Sequence, residues 1–248
     1  MHFSIEVPVY RKTYLKETIE SVIGQTSSRW RLYLLWDRKL LGEPPSGYPF
    51  RHPGITYLFR PNRGIAASRR LLTRHTESDA ILPLDDDDRL LPNTLEAFSR
   101  HAAKHRGFGI IRARREFIDT KGKIVDQRCW FPFEQRRQYQ GMTIDIHNHA
   151  QPYVISRNAY MRTKGWEGFA EFGGAGEDCD IFLKIEEVAP IVLLDSVLYQ
   201  YRLHNRRYSL TLKEEGAFAM WRKLMLKTLR RRGLNIMLAE YLLPYFTM

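Results

Sequence analysis

Ala80-Ile81-Leu82-Pro83-Leu84 is a short apolar run that ends abruptly in four consecutive acids, Asp85-Asp86-Asp87-Asp88. Four like charges in a row repel one another, so stability alone gives no reason to gather them. The apolar run reads as a buried strand, which puts the acids at its carboxyl end. In an open α/β sheet that edge is where ligands bind. A divalent cation would relieve the repulsion. Mg²⁺ and Mn²⁺ take oxygen ligands, commonly one or two carboxylates together with substrate phosphates. The plainer alternative is a solvated acidic loop that starts the next helix, with Asp88 at its N-terminus and Pro92 in its first turn. An EF-hand loop is excluded, because no Gly stands at the sixth place.

Strands and helices alternate around this run. Phe3 to Val9 reads as a β-branched strand. Lys12 to Gln25 reads as a helix with Leu15, Ile19, Val22 and Ile23 on one stripe. Arg31 to Trp36 is a second strand, ending at Asp37, and Ile55 to Phe59 a third. Between them, residues 42–54 carry four prolines and three glycines and predict a loop. Asn62-Arg63-Gly64 opens a helix to about His75, and another follows the acids from about Pro92 to Lys104. This alternation predicts a mainly parallel sheet with helices on both faces.

The rhythm changes after residue 105. Gly109–Ala113 and Glu116–Asp119 read as separate strands, and Lys121-Gly122 as a turn before Lys123–Val125. Arg128 to Gln140 is aromatic and polar without a period, and predicts a loop over a site. Gln151–Ser156 leads into a short helix near Asn158–Lys164. Asp178–Val188 reads as a helix, Ile191–Leu194 as a strand, and the chain from Lys213 as a helical tail broken near Gly233. The expected fold class is α/β.

At 248 residues the chain is one large domain or two small ones, and can bury a sizeable core. No apolar run approaches membrane-spanning length, and the N-terminus lacks the basic-then-apolar pattern of a signal peptide. Cys129 and Cys179 make neither a disulfide framework nor a metal spacing, which fits a reducing cytoplasm. The net charge of +11 admits three partners: nucleic acid, an anionic membrane surface, or phosphate-bearing substrates.

Several separated pieces point one way. They are Val7-Pro8-Val9-Tyr10, Asp37 at a strand end, Asn62-Arg63-Gly64 leading to Arg69, and the acids at 85–88. Gly165-Trp166-Glu167-Gly168-Phe169, Gly176-Glu177-Asp178 and Tyr201-Arg202-Leu203-His204 complete the series. In this order they resemble the family 2 glycosyltransferases of GT-A (Rossmann-like) fold, over about residues 3–210. The resemblance implies an inverting enzyme that moves a sugar from a nucleotide-diphosphate donor, a UDP-sugar favoured, to a hydroxyl of a glycan or lipid-linked acceptor. That chemistry belongs to cell-envelope polysaccharide biosynthesis. Residues 1–104 would bind the donor, 105–210 the acceptor, and 211–248 would form a basic helical tail.

Roles follow residue by residue from the resemblance. Pro8, Tyr10, Asp37, Arg69, Asp85 and Asp86 would line the donor nucleotide, Asp37 at its base and Arg69 near its phosphates. Asp87, with Asp85 and His204, would hold Mn²⁺ or Mg²⁺, and Asp88 could share in this. Asp178, paired with Glu177, would be the general base; the alternative is two acids at a helix N-terminus. Trp166, Gly174 and His149 would meet the acceptor, Trp166 by stacking. Arg202 and Arg206 are further candidates for the diphosphate. The chain departs from the family pattern at Arg11, where Asn is usual, and at Asp37-Arg38-Lys39, so the nucleotide it selects stays open.

The tail gathers Arg222, Lys223, Lys227, Arg230, Arg231 and Arg232 on a helix with Trp221, Leu224, Met225 and Leu229. Such a helix can lie on an anionic membrane, giving a cytoplasmic protein peripheral at the inner face of the cell membrane. The alternatives are packing on the domain and a homodimer contact. A nucleotidyltransferase would need a basic Gly-rich loop after the first strand, which Val7–Arg11 does not supply. A binding protein using the basic surface remains the reading from another class, but no nucleic acid is expected at an acidic cleft.

Overall fold

The computed structural model describes residues 1–126, 138–139, 142–143, 151–172, 174–205, 214–237 and 239. Its central strand, β1 (Phe3–Pro8), is buried at every residue. A strand covered on both faces must be almost continuously apolar, and only Ser4 and Glu6 break the pattern here. β2 (Trp30–Trp36) and β4 (Ala80–Pro83) flank β1 in parallel, and β3 (Ile55–Phe59) continues beyond β2. The chain thus runs outward from β1 to β3 and returns to the far side of β1. That reversal opens a crevice at the carboxyl ends of β1 and β4.

The sheet then becomes mixed. β10 (Tyr153–Ser156) pairs antiparallel with both β4 and β6 (Ile110–Ile118). β11 (Ile191–Arg202) runs parallel to β6, and β5 (Arg89–Leu90) pairs with the end of β11. β7 (Ile124–Asp126) folds back on β6, and β8 (Gln138–Tyr139) with β9 (Met142–Thr143) forms a separate ladder. The order is β3-β2-β1-β4-β10-β6-β11-β5, a mixed α/β sheet with flanking helices.

The helices are amphipathic in the expected places. α1 (Leu15–Ile23) buries Leu15, Ile19 and Val22, each burial contributing roughly 1.5–3 kcal/mol. α3 (Ile65–Arg74) and α4 (Thr94–Lys104) occupy the other predicted helical stretches. A short α2 (Arg38–Leu41), which the sequence reading places in no element, is capped by Asp37. α5 (Arg157–Met161) and α6 (Glu177–Glu186) belong to the second half.

Two strands differ from expectation. The two strands expected across 109–119 are one, because Arg114 and Arg115 interrupt the apolar pattern but not the backbone pairing. β11 runs eight residues past Leu194, through two register shifts, between Leu193 and Val197 and between Val197 and Tyr199.

α7 (Glu214–Arg231) packs on the domain. Met220, Leu224, Met225 and Leu229 form one buried cluster with Phe169, Ala175, Cys179 and Leu183. Three of its cations and Arg232 just after it are paired as well. Lys223 meets Glu171, Lys227 meets Glu167 at 2.9 Å, Arg231 meets Glu187 at 2.8 Å, and Arg232 meets Glu186 at 3.0 Å. The apolar face that would enter a bilayer is thus covered by α6 and the segment before it. No described helix is long and apolar enough to cross a membrane.

Candidate active site

The four acids after β4 divide by parity. Asp86 turns inward: its Oδ2 accepts from the backbone N–H of Tyr10 at 2.6 Å and of Arg11 at 2.8 Å. Asp88 also turns inward, its Oδ1 accepting from the Arg202 N–H at 2.7 Å and its Oδ2 from the Tyr199 hydroxyl at 2.8 Å. Burial pushes the Asp86 carboxyl up to about 7 and that of Asp88 well above the usual carboxylate range. These two acids tie the β1–α1 loop and the end of β11 to the acidic loop. Both carboxylates are thus engaged by the fold, where the resemblance implied Asp86 at the donor nucleotide and Asp88 sharing the metal.

Asp85 and Asp87 keep 39% and 23% of their side chains exposed. Asp87 Oδ2 lies 2.8 Å from His204 Nε2. Arg202 produces that meeting. Its side chain is fully buried, so it does not face a diphosphate as expected. Its Nε donates to the Asp87 carbonyl at 2.8 Å, its Nη1 to the Asp119 carbonyl at 3.1 Å, and its Nη2 to Glu17 at 2.6 Å. The Tyr14 ring covers the guanidinium at 4.3 Å. Two residues on, His204 has little freedom to miss Asp87.

Arg69 joins this edge to α6. It is 2% exposed, far from the solvated helix face that is usual for arginine. Its Nη2 is 3.0 Å from Asp85 Oδ1, and its Nε is 3.6 Å from Glu177 Oε1. Gln151, in the amide orientation that satisfies both of its ends, accepts from Arg69 Nη2 at 3.0 Å and donates to the Pro83 carbonyl at 3.3 Å and to the Tyr199 hydroxyl. Burial raises Asp85 to about 6 against the pull of Arg69.

Trp166 lies beneath Arg69, with the guanidinium carbon 5.5 Å from its ring centroid. The indole is fully buried and donates through Nε1 to Thr73 Oγ1 at 3.0 Å. The expectation that it stacks on an acceptor sugar is corrected, since no ring face is open. Thr73 and Thr76 hydroxyls donate in turn to Glu6 at 2.7 and 2.8 Å.

α6 begins at the crevice. Gly176 takes the left-handed conformation just before it, at φ 84°. Gly168 is required by contact, because a Cβ there would sit 2.0 Å from the Gly174 carbonyl oxygen. Gly174 lies beside the start of α3, near the Ile65 backbone. Glu177 is buried, and burial followed by the Asp178 charge pushes it up to about 8. Asp178 is half-buried, and its Oδ1 accepts from the Tyr153 hydroxyl.

Asp37 is held by the backbone at the start of α2. Its carboxylate accepts from the backbone N–H groups of Lys39 at 2.9 Å, Leu40 at 3.3 Å and Asn62 at 2.9 Å. The Asn62 bond above all holds it below its ordinary range. Pro8 is buried at the end of β1, and Tyr10 is half-buried just beyond it. His149 and Arg206 lie outside the described residues.

A family model described as glycosyl transferase family 2 matches residues 4–164, well over half of the chain. The chain belongs to this family. Among curated relatives, chondroitin synthase of Escherichia coli is 24% identical over 242 residues, covering 94% of this chain and 33% of that protein. Hyaluronan synthase of Pasteurella multocida is 23% identical and covers 84% and 21%. The chain thus spans a third or less of these relatives. In fold, this glycosyltransferase superposes on S. aureus TarS 1–349 in complex with UDP-GlcNAc with a TM-score of 0.64 at 14% identity, over 99% of this chain and 71% of that one. Mannosyltransferase PcManGT from Pyrobaculum calidifontis, in complex with GDP-Man and Mn²⁺, gives 0.61 at 13%, over 99% and 72%.

Among the described residues of this glycosyltransferase, no three His, Cys, Asp or Glu side chains converge as a ready-made metal cage. Asp87 and His204 do offer an oxygen and a nitrogen side by side. That donor set suits Mn²⁺ or Mg²⁺ when substrate oxygens complete the shell. Tyr153, Gln151 and Tyr199 touch the site yet carry no sequence signal, since each reads as ordinary strand or loop.

Proposed function

We propose that this glycosyltransferase moves a sugar, with inversion, from a nucleotide-diphosphate donor to a hydroxyl of a glycan or lipid-linked glycan. The observation that carries this reading is the parity of the acidic run. Two acids are consumed by the fold, while Asp85 and Asp87 stay available at the β1–β4 switch point, beside Arg69, His204 and the start of α6.

In this reading the Rossmann-like first half takes the donor. Asp87 and His204 would hold Mn²⁺ or Mg²⁺, with Asp85 at the ribose or the ion. Bound there, the ion would neutralise charge on the leaving diphosphate. Asp178 takes the acceptor proton as the acceptor oxygen attacks the anomeric carbon. The bond to the diphosphate breaks on the opposite face, and its electron pair leaves with the nucleotide. Arg69 fixes Asp85 and Glu177 at one spacing, so the donor and acceptor sides keep their distance.

The UDP-GlcNAc complex of TarS supports a UDP-sugar, and the GDP-Man complex of PcManGT keeps GDP as the second candidate. The polysaccharide synthases among the relatives support a glycan acceptor. Any contact with an anionic membrane falls on the outer face of α7, where Phe218, Arg222 and Arg230 are exposed. Pairing of the other tail cations with α6 and its preceding segment weighs against nucleic acid.

The test is release of nucleoside diphosphate from a panel of UDP- and GDP-sugars, with glycan acceptors, by wild type and Asp178→Asn. Release from one nucleotide class, reduced at least a hundredfold in the variant while donor binding persists, is the expected result. Equal turnover by the variant contradicts the base.

A further inference from the structure

We propose that Tyr153 is a positioning residue that aims the Asp178 carboxylate at the acceptor hydroxyl. The inference rests on the reading of Asp178 as the base and adds the group that orients it.

Tyr153 sits at the start of β10, between β4 and β6, and is fully buried. Its phenol meets α6 twice on one helical face. The hydroxyl donates to Asp178 Oδ1, and one turn later the Phe182 ring packs edge-on at 4.8 Å between centroids and 82° between planes. Residues four apart on a helix share a face, so one rigid ring reads both. Burial first, and then the adjacent Asp178, keeps the phenol protonated and therefore a donor.

Geometry gives this bond a consequence. Asp178 stands in the first turn of α6, where a carboxylate can rotate toward the free backbone N–H groups of the helix start. A donor fixed on Oδ1 prevents that rotation and leaves Oδ2 as the oxygen available for a proton. The proton passes from the acceptor hydroxyl to Oδ2, and the phenol keeps its own.

The test is Tyr153→Phe, which removes one oxygen and keeps the ring against Phe182. kcat falls roughly tenfold to a hundredfold, the range expected for one hydrogen bond to a charged group. Nucleotide affinity and the acceptor KM stay within twofold, so the loss falls on kcat. A role in packing alone would lower Tm and nucleotide affinity without singling out kcat. Asp178→Asn is measured alongside. If it abolishes turnover while Tyr153→Phe leaves kcat unchanged, the positioning role is overturned and the base survives. If Asp178→Asn turns over normally, both fall. Should Tyr153→Phe lose its fold by circular dichroism, Phe182→Leu, which keeps the hydroxyl but removes the ring that braces it, decides the matter: a lower kcat at unchanged nucleotide affinity supports the proposal, and an unchanged kcat overturns it.

Discussion

His204 Nε2 lies 2.8 Å from Asp87 Oδ2, although 117 positions separate them in the chain. Arg202 holds the Asp87 carbonyl, and the Asp88 carboxylate holds the Arg202 N–H, so strand β11 is pinned to the acidic loop from both directions. Replacing His204 with Ala should leave the fold intact and weaken Mn²⁺-dependent nucleotide binding about tenfold or more, one ligand being lost. Arg202→Lys should do the same by a different route and also lower Tm. It forfeits the forked contacts to Asp87, Asp119 and Glu17 that a single ammonium cannot reproduce. Titration calorimetry and a melting curve separate the two.

The parity of the acids makes a second prediction. Asp86→Ala removes the shared acceptor of the Tyr10 and Arg11 N–H groups, at about 0.5–1.5 kcal/mol for each hydrogen bond lost. Asp87→Ala removes a partly exposed side chain and, unlike Asp85→Ala, leaves the buried Arg69 its partner, so it should cost the fold less while harming donor affinity more. Chemical denaturation set beside nucleotide titration measures both. Equal loss of stability in the two variants would contradict the division.

Glu6 makes the fold sensitive to pH. Burial raises its carboxyl to about 7, against the hydrogen bonds from Thr73 and Thr76. The unfolded value is about 4.3. The folded state therefore holds the proton more tightly, and its contribution is complete below about pH 4.3 and lost as pH rises through 7. The difference in unfolding free energy between Glu6→Gln and wild type should shift in favour of the variant by about 3 kcal/mol from pH 4 to pH 8. A difference flat with pH would contradict the burial argument.

Trp166 serves as a floor for Arg69. Trp166→Phe keeps a ring there and should hold nucleotide affinity within about threefold, while Trp166→Leu removes the face and should weaken it roughly tenfold, the worth of a desolvated cation–π contact. Equal affinities in the two variants would reduce the indole to packing.

The acidic run, the strands around β1 and the helices α1, α3 and α4 were legible because each is written in local periodicity. The sorting of the four acids was not. It depends on donors brought from Tyr10, Arg11, Tyr199 and Arg202, and nothing within the run distinguishes Asp86 from Asp87. Trp166 read as a sugar platform because an aromatic beside glycines has no local mark of burial. Thr73 and Arg69 on α3 and Tyr160 on α5 close over it, none of them its neighbour in sequence. The tail left membrane, domain and dimer open for the same reason: its partners Phe169, Cys179 and Leu183 lie far upstream.

The proposed metal-assisted nucleotide site rests on Asp87 and His204. Calorimetric titration of UDP and GDP, with and without Mn²⁺, on wild type and Asp87→Asn tests it most directly. Binding of one nucleotide that requires the ion and is lost in the variant is the predicted result. Binding of neither nucleotide to wild type under any metal condition, or binding that Asp87→Asn leaves unchanged, would contradict it.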